Sequence, residues 1–228
     1  MDQEKIFKIS PSGVDYALKC KRCLWLGYKG IKHDSFFPPI FNAFDIIQKK
    51  FLVTQSVKLM SSALDDGRIM TELNGLIGSS TLTDNRGRKF IVSGRTDIVV
   101  EFNTRPKKYG IIDLKTTNIN PSKVKNYKLQ LESYATIFEN PNSKTPKLSN
   151  INELGLYLFE PKEITKISDG VCDMKFETLY LKGNRCYDDL IVRVTDIIDV
   201  CLNKEPPDYN LGCSSCKFIL SLKEEKYL

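Results

Sequence analysis

Residues 94–102 read GRTDIVVEF and residues 109–116 read YGIIDLKT, separated by a segment that begins with the turn sequence NTRP. The dense β-branched residues predict a strand over 89–102 and a second over 109–116, paired as a hairpin. Side chains alternate between the faces of a strand, so Asp113 and Lys115 point to the same side. Pairing of the strands would bring Asp97 beside Asp113, placing two carboxylates and one ammonium around a single point.

Helices and further strands are predicted on both sides of this hairpin. Ser10 as N-cap and Pro11 at the first helical position predict a helix ending near residue 23. Other predicted helices cover 40–64, 121–140 and 184–202, and other predicted strands cover 151–159 and 174–181. This order predicts an α/β fold, with a central mixed β-sheet flanked by helices, in one domain spanning residues 1–228.

The composition describes an ordinary globular protein with 41% hydrophobic and 27% charged residues. Its net charge of +6 suits a polyanionic partner without requiring one. A single histidine, His33, argues against His-rich zinc hydrolases and Ser-His-Asp hydrolases. The polar N-terminus and the lack of an apolar run of about 20 residues predict no membrane span and a cytoplasmic location.

The predicted carboxylate cluster suits the hydrolysis of phosphodiesters. Asp97, Asp113 and the Leu114 carbonyl are oxygen donors of the kind that Mg²⁺ and Mn²⁺ prefer, and such an ion activates water. Lys115 would orient the water or stabilise charge on phosphorus. An isolated Asp-x-Lys triplet is usually a surface ion pair, and another stands at 173–175. The interpretation therefore depends on the surrounding segments.

Gln130 and Tyr134 are four residues apart on the helix after the hairpin and so share one face. Their polar ends would contact a sugar-phosphate backbone or position Lys115. The plainer alternative is a half-buried tyrosine and a solvent-facing glutamine. Four basic residues near the hairpin and this helix would follow phosphates, or would form a solvated face. They are Arg95, Lys123, Lys125 and Lys128.

Two Cys-x-x-Cys pairs lie near opposite ends of the chain, at Cys20 and Cys23 and at Cys213 and Cys216. Together they have the ligand number and local spacing of a tetrahedral thiolate site, for zinc or for iron–sulfur. Such a site would hold the two ends of the domain together. The alternative is four free cysteines. The isolated cysteines at positions 172, 186 and 201 are predicted to be core thiols.

The motifs Gly94-Arg95-Thr96-Asp97, Asp113-Leu114-Lys115 and Gln130 to Tyr134, in that order, resemble the PD-(D/E)XK nuclease superfamily. The branch they resemble contains the RecB-like and CRISPR-adaptation exonucleases. The resemblance implies a restriction-endonuclease-like core and a metal-dependent DNA nuclease, most simply an exonuclease. Asp97, Asp113, Lys115, Gln130 and Tyr134 would be its catalytic residues. Its setting would be DNA repair, recombination, phage replication or CRISPR adaptation.

The resemblance also implies partners. The substrate would be DNA, either single-stranded or at duplex ends. No helicase motif is present, so a helicase or another recombination or CRISPR protein would supply any unwinding.

Three positions depart from the pattern of that branch. Thr96 stands where proline is usual before the first acid. The histidine usually found on the early long helix is absent, since His33 precedes that helix. Asp45 is the better positional match and would be a third metal-binding carboxylate. The branch often has an iron–sulfur cluster, which implies 4Fe–4S rather than zinc at the cysteines, although the usual one-plus-three arrangement is here two plus two.

Two other classes of function remain open at the level of sequence. One is a non-catalytic nucleic-acid-binding or assembly subunit that retains the nuclease fold. The complete set of Asp97, Asp113 and Lys115 argues against it, because a degenerate member would be expected to lose one of them. The other is a metal-stapled protein whose aspartates only pair with lysine and arginine.

Overall fold

The computed structural model describes residues 5–31, 38–73 and 75–224, and in these the protein has two β-sheets flanked by helices. His33 lies outside the described residues. The strands are β1 (Phe7–Ile9), β2 (Gly67–Ile69), β3 (Ile77–Gly78), β4 (Leu82–Thr83), β5 (Lys89–Gly94), β6 (Ile98–Phe102), β7 (Lys108–Thr116), β8 (Ile151–Ser168) and β9 (Val171–Gly183). The α-helices are α1 (Pro11–Val14), α2 (Lys21–Tyr28), α3 (Pro39–Leu52), α4 (Lys128–Glu139), α5 (Tyr187–Leu202) and α6 (Ser214–Glu224). Short 3₁₀-helices cover Ala17–Cys20, Val57–Leu59, Thr71–Leu73 and Pro121–Asn126. The prediction of a mixed α/β fold is confirmed.

The larger sheet has the strand order β2-β6-β7-β8-β9 and is mixed. β6 and β7 form the predicted antiparallel hairpin, with Ile98 opposite Ile112, while β7 and β8 are parallel. Successive residues of β7 enter two different hydrophobic clusters, Ile111 on one face and Ile112 on the other. Asp113 and Lys115 therefore share the face of Ile111, which α4 covers.

The strand predicted over 89–102 is two strands in different sheets. β5 belongs to the smaller sheet, where it pairs with β1, β3 and β4, and β6 belongs to the larger one. The chain crosses between the sheets after Gly94, where a Cβ would lie 2.8 Å from the ring of Pro11 on α1. Asp97 consequently lies just before β6 rather than on a strand.

The first predicted helix is broken into three pieces. Ser10 does cap its start, accepting a hydrogen bond from the Gly13 N–H at 3.1 Å. The helix ends at Val14, and a 3₁₀ turn leads to Cys20, whose extended backbone and thiol cap the start of α2. The prediction of one helix to residue 23 was wrong because Cys20 interrupts it as an N-cap.

The long helix predicted over 40–64 ends at Leu52, and its apolar stripe is not its buried face. Ile47 and Phe51 are 63% and 54% exposed, whereas Gln48 and Leu52 are buried. The Gln48 amide donates to the Thr116 hydroxyl at the end of β7, at 2.9 Å. Leu52 packs in the cluster beneath the larger sheet. Packing on β7 therefore decides the orientation of α3.

The helix predicted over 121–140 begins as a 3₁₀-helix capped by Asn120, which accepts from the Ser122 N–H, and continues as α4. Ten residues of α4, 129–138, are buried. The Asp15 carboxylate accepts the Gln130 N–H at 2.8 Å in the first turn of α4. This contact satisfies a main-chain donor that has no partner within the helix.

The predicted strands over 151–159 and 174–181 are longer in the structure and continue past the sheet as an exposed two-stranded arm. The second Asp-x-Lys triplet lies on this arm, where Lys175 pairs with Glu163 at 3.3 Å. Cys172 is exposed there, so its prediction as a core thiol was wrong, while Cys186 is half-buried and Cys201 is buried. No helix among the described residues is long and apolar enough to cross a bilayer.

Candidate active site and four-cysteine centre

Asp113 lies in the buried middle of β7, with 2% of its surface exposed. Its Oδ1 accepts a hydrogen bond from Gln130 Nε2 at 2.8 Å. Its Oδ2 lies 2.5 Å from Lys115 Nζ, yet this buried atom has no hydrogen bond of normal geometry. Burial raises the pKa of Asp113 to about 7; the Lys115 ammonium opposes this and the Asp97 carboxylate adds to it. An incompletely satisfied buried carboxylate is a position where a cation would be stabilised.

Asp97 reaches β7 at the point where β6 no longer covers it. Pairing between the strands stops at Ile98 and Ile112, and Asp97 Oδ2 then accepts the Leu114 N–H at 2.8 Å. The N–H and C=O of one residue in an extended strand point the same way, so the Leu114 carbonyl faces the same side as Asp97. The predicted donors Asp97, Asp113 and the Leu114 carbonyl are thus brought to one edge of β7.

Lys115 lies between Asp113 and an aromatic pair that the sequence analysis did not identify. Its Nζ is 5.0 Å from the ring centroid of Tyr127, and the Tyr16 ring meets that of Tyr127 edge-on at 6.3 Å. Burial lowers the pKa of Lys115, but Asp113, Asp97 and Tyr16 together outweigh it and the net shift is upward. Lys115 is therefore held as an ammonium ion. No local motif marks the two tyrosines, because they come from different elements.

Gln130 and Tyr134 both turn inward from α4. Gln130 is 3% exposed, so it does not face solvent, and its amide fixes Asp113. The Tyr134 hydroxyl donates to the Arg95 carbonyl at 2.7 Å, while Gln130 Nε2 lies 3.5 Å from that hydroxyl. Burial, and the nearby Asp113, raise the pKa of Tyr134 far above its usual value. The two side chains position Asp113 and the segment that leads to Asp97.

Asp45 is joined to the site through Lys49, a residue that the sequence analysis missed. Lys49 Nζ lies 2.8 Å from Asp45 Oδ2 and 2.7 Å from Asp97 Oδ1. Burial lowers the pKa of Lys49, but Asp97 and Asp45 together raise it by more than burial lowers it, so the net shift is upward. The four-residue spacing of Asp45 and Lys49 on one helix was the available signal.

A cleft of about 520 Å³ opens over these groups. Its lining contains five of the predicted site residues and several that were not predicted: Ser12, Tyr16, Phe41, Asn42, Asp45, Gln48, Asp97, Leu114, Lys115, Thr116, Tyr127 and Gln130. Of the predicted phosphate-tracking residues, Lys128 pairs with Asp189 at 2.5 Å and Lys123 donates to Asn118 at 2.7 Å. None of those four is part of the cleft lining.

The four cysteines of the two Cys-x-x-Cys pairs come together. The Sγ atoms of Cys20 and Cys216 are 3.5 Å apart, those of Cys23 and Cys213 are 3.6 Å apart, and all four lie within 4.8 Å of one another. Their spacing is close enough to bind a metal ion, at the place where the start of α2 meets the start of α6. In the part of the chain that the structure describes, no other group of three or more Cys, His, Asp or Glu ligand atoms is drawn so close.

Position in the fold explains the different acidities of these thiols. The Cys216 N–H, in the first turn of α6, lowers the pKa of Cys213 to about 7. Burial raises the pKa values of Cys20 and Cys23. A bound cation favours the thiolate form of all four, which is the form that ligates metals.

The chain is similar to a solved structure described as "Crystal structure of SSO0001", with a TM-score of 0.55 and 13% sequence identity. The match covers 96% of this chain and 86% of that chain. At this identity the similarity concerns the fold alone, and that description names no activity. No known family profile and no curated protein matches the chain.

Proposed function

We propose that the protein is a metal-dependent DNA nuclease, most simply an exonuclease, with a restriction-endonuclease-like core of the PD-(D/E)XK type. The observation that supports this best is Asp113, a buried carboxylate whose Oδ2 pairs with Lys115 without a hydrogen bond of normal geometry, beneath an open cleft that Asp97 and Lys115 line. Surface ion pairs, such as Lys175 with Glu163 on the arm, have no comparable burial. DNA repair, recombination, phage replication and CRISPR adaptation remain the proposed settings.

The donors of the cleft fit a hard divalent cation. Asp97, Asp113 and the Leu114 carbonyl would hold Mg²⁺ or Mn²⁺, with Asp45 farther out beside Lys49. When bound, the ion supplies polarisation of the phosphate and a lowered pKa for water. The positive charge of the bound ion would also offset the free-energy cost of burying Asp113 in its ionised form.

The remaining roles belong to side chains of the chain itself. Lys115 orients water, or binds the phosphate where negative charge develops, and Asp113 and the face of Tyr127 hold its ammonium in place. Gln130 fixes the orientation of Asp113. Tyr134 holds the Arg95 carbonyl and so the segment that presents Asp97.

The four cysteines are proposed to hold a structural metal centre. The resemblance implies 4Fe–4S, with zinc as the alternative. In a tetrahedral site with metal–sulfur bonds of about 2.3 Å, the sulfurs are about 3.8 Å apart. In a cubane cluster each thiolate ligates a different iron and the sulfurs stand farther apart. The separations of 3.5 and 3.6 Å favour one tetrahedral ion. Elemental analysis and the visible absorption spectrum distinguish the two.

The test of activity uses end-labelled single-stranded and duplex DNA with Mg²⁺ or Mn²⁺. Asp113→Asn and Lys115→Ala should each lower cleavage by about 100-fold or more. Lys175→Ala, in the exposed triplet with the same spacing, is the matched control and should cleave like the wild type. Equal cleavage by the Lys115→Ala variant and the control would overturn the assignment.

A non-catalytic DNA-binding subunit is the second candidate. The observation in its favour is that lysines already pair with all three acids, Lys49 with Asp45 and Asp97 and Lys115 with Asp113. A subunit of this kind would bind DNA, and neither Mg²⁺ nor Mn²⁺ would induce cleavage. Electrophoretic shift assays run beside the cleavage assay separate the two functions.

A further inference from the structure

Lys49 occupies a position between two carboxylates at the edge of the cleft. Its Nζ contacts Asp45 Oδ2 at 2.8 Å and Asp97 Oδ1 at 2.7 Å, and 29% of its side chain is exposed. An ammonium group has three N–H donors, so one remains for an anionic group in the cleft. Asp97 is thus shared between Lys49 on one oxygen and the β7 main chain on the other.

The side of Asp97 that faces Asp113 differs from the side that faces Lys49. There the Asp113 Oδ2 is buried without a normal hydrogen bond, and the Leu114 carbonyl faces the same edge. Phosphodiester-cleaving sites with two metals hold the ions about 3.5–4 Å apart, through carboxylates that both ions share. Both flanks of Asp97 thus have an ammonium group, but Lys115 contacts Asp113 alone, whereas Lys49 lies between Asp97 and Asp45, as an ion shared by two carboxylates would.

We propose that Lys49 is a built-in cation that takes the place of a second divalent ion, so that the site binds one ion only, on the side of Asp113. This inference rests on the proposed function, since it concerns the same site. The physical reason is charge: three carboxylates face two ammonium groups, which leaves one net negative charge. A single divalent ion reverses this charge, and a second would meet the Lys49 ammonium at close range.

Mn²⁺ binding, measured by electron paramagnetic resonance, tests the inference without requiring activity. Mn²⁺ is suitable because it prefers oxygen donors and competes poorly for thiolates. The wild type should bind one ion. Lys49→Gln, which removes the charge and adds an amide oxygen, should bind two, with the spectrum of a spin-coupled pair. Its first ion should bind about tenfold more tightly or better, since a nearby positive charge is gone.

Two further variants distinguish the effect of the Lys49 charge from an effect of altered folding. Lys49→Arg keeps the charge and should still bind one ion. Lys50→Gln changes a neighbouring exposed lysine on the same helix and should leave both number and affinity unchanged. Thermal melting of each variant confirms that it is folded.

The outcomes distinguish this inference from the proposed function. Two ions in the wild type, or one ion in Lys49→Gln with unchanged affinity, would overturn the role of Lys49 while leaving a nuclease site possible. No Mn²⁺ binding in the wild type, together with no cleavage of DNA, would overturn both. One ion in the wild type and in Lys49→Arg, with two in Lys49→Gln, is the expected result.

Discussion

Replacing Cys213 and Cys216 with serine together would remove the C-terminal half of the thiolate centre. Of the eleven residues of α6, Cys216 alone is buried, so little apolar packing holds this helix. The chain segment before it, over 203–212, has no regular secondary structure. Without a bound metal we expect α6 to separate from α2.

The size of the effect follows from the loop that the metal closes. Cys23 and Cys213 are 190 positions apart. The loop-closure treatment used for covalent cross-links assigns at most about 5 kcal/mol to closing a loop of this length at 25 °C. A protein of this size shifts its melting temperature by about 2–4 °C for each kcal/mol. The double variant should therefore melt below the wild type by up to about 10–20 °C.

The assay is thermal unfolding, with and without a chelator, combined with limited proteolysis. The double variant should be insensitive to the chelator and should be cut early between residues 203 and 212. Cys172→Ser is the matched control, because this exposed cysteine on the arm lies outside the centre. The four cysteines do not stabilise the fold through a metal if the double variant has the melting temperature of the control. The same conclusion follows if the chelator does not lower the melting temperature of the wild type.

Three further substitutions test the buried side chains of the site and the ion pair that anchors α4. Gln130→Leu removes the hydrogen bond to the buried Asp113, and we expect cleavage to fall about 10- to 100-fold and stability to fall by about 1–3 kcal/mol, measured by kinetics and urea unfolding. Tyr134→Phe leaves a main-chain carbonyl without its donor and should cost about 1–3 kcal/mol in the same unfolding measurement. Arg185→Met leaves the fully buried Glu132 without its bidentate partner and should cost about 3–5 kcal/mol. Unchanged unfolding midpoints would contradict the last two.

Local rules of the chain were enough for part of this protein. The Ser10 cap, the hairpin and the common face of Asp113 and Lys115 follow from short-range geometry, since alternation along a strand does not depend on what the strand packs against. That Gln130 and Tyr134 share one face follows in the same way from their spacing on a helix, whereas their inward direction depends on what α4 packs against. The spacing of the Cys-x-x-Cys pairs indicated the four ligands, and the prediction that the two pairs come together is confirmed.

Tertiary structure decided the rest, because it depends on which distant segments pack together. Asp97 reaches the Leu114 N–H only because β6 begins one residue after it, and that boundary is a property of two sheets rather than of the sequence 94–102. Lys49 enters the site because α3 buries Gln48 and Leu52 against β7 instead of its apolar stripe. Packing between segments far apart in sequence likewise brings the two cysteine pairs to 3.5 and 3.6 Å, a closeness that no local pattern specifies.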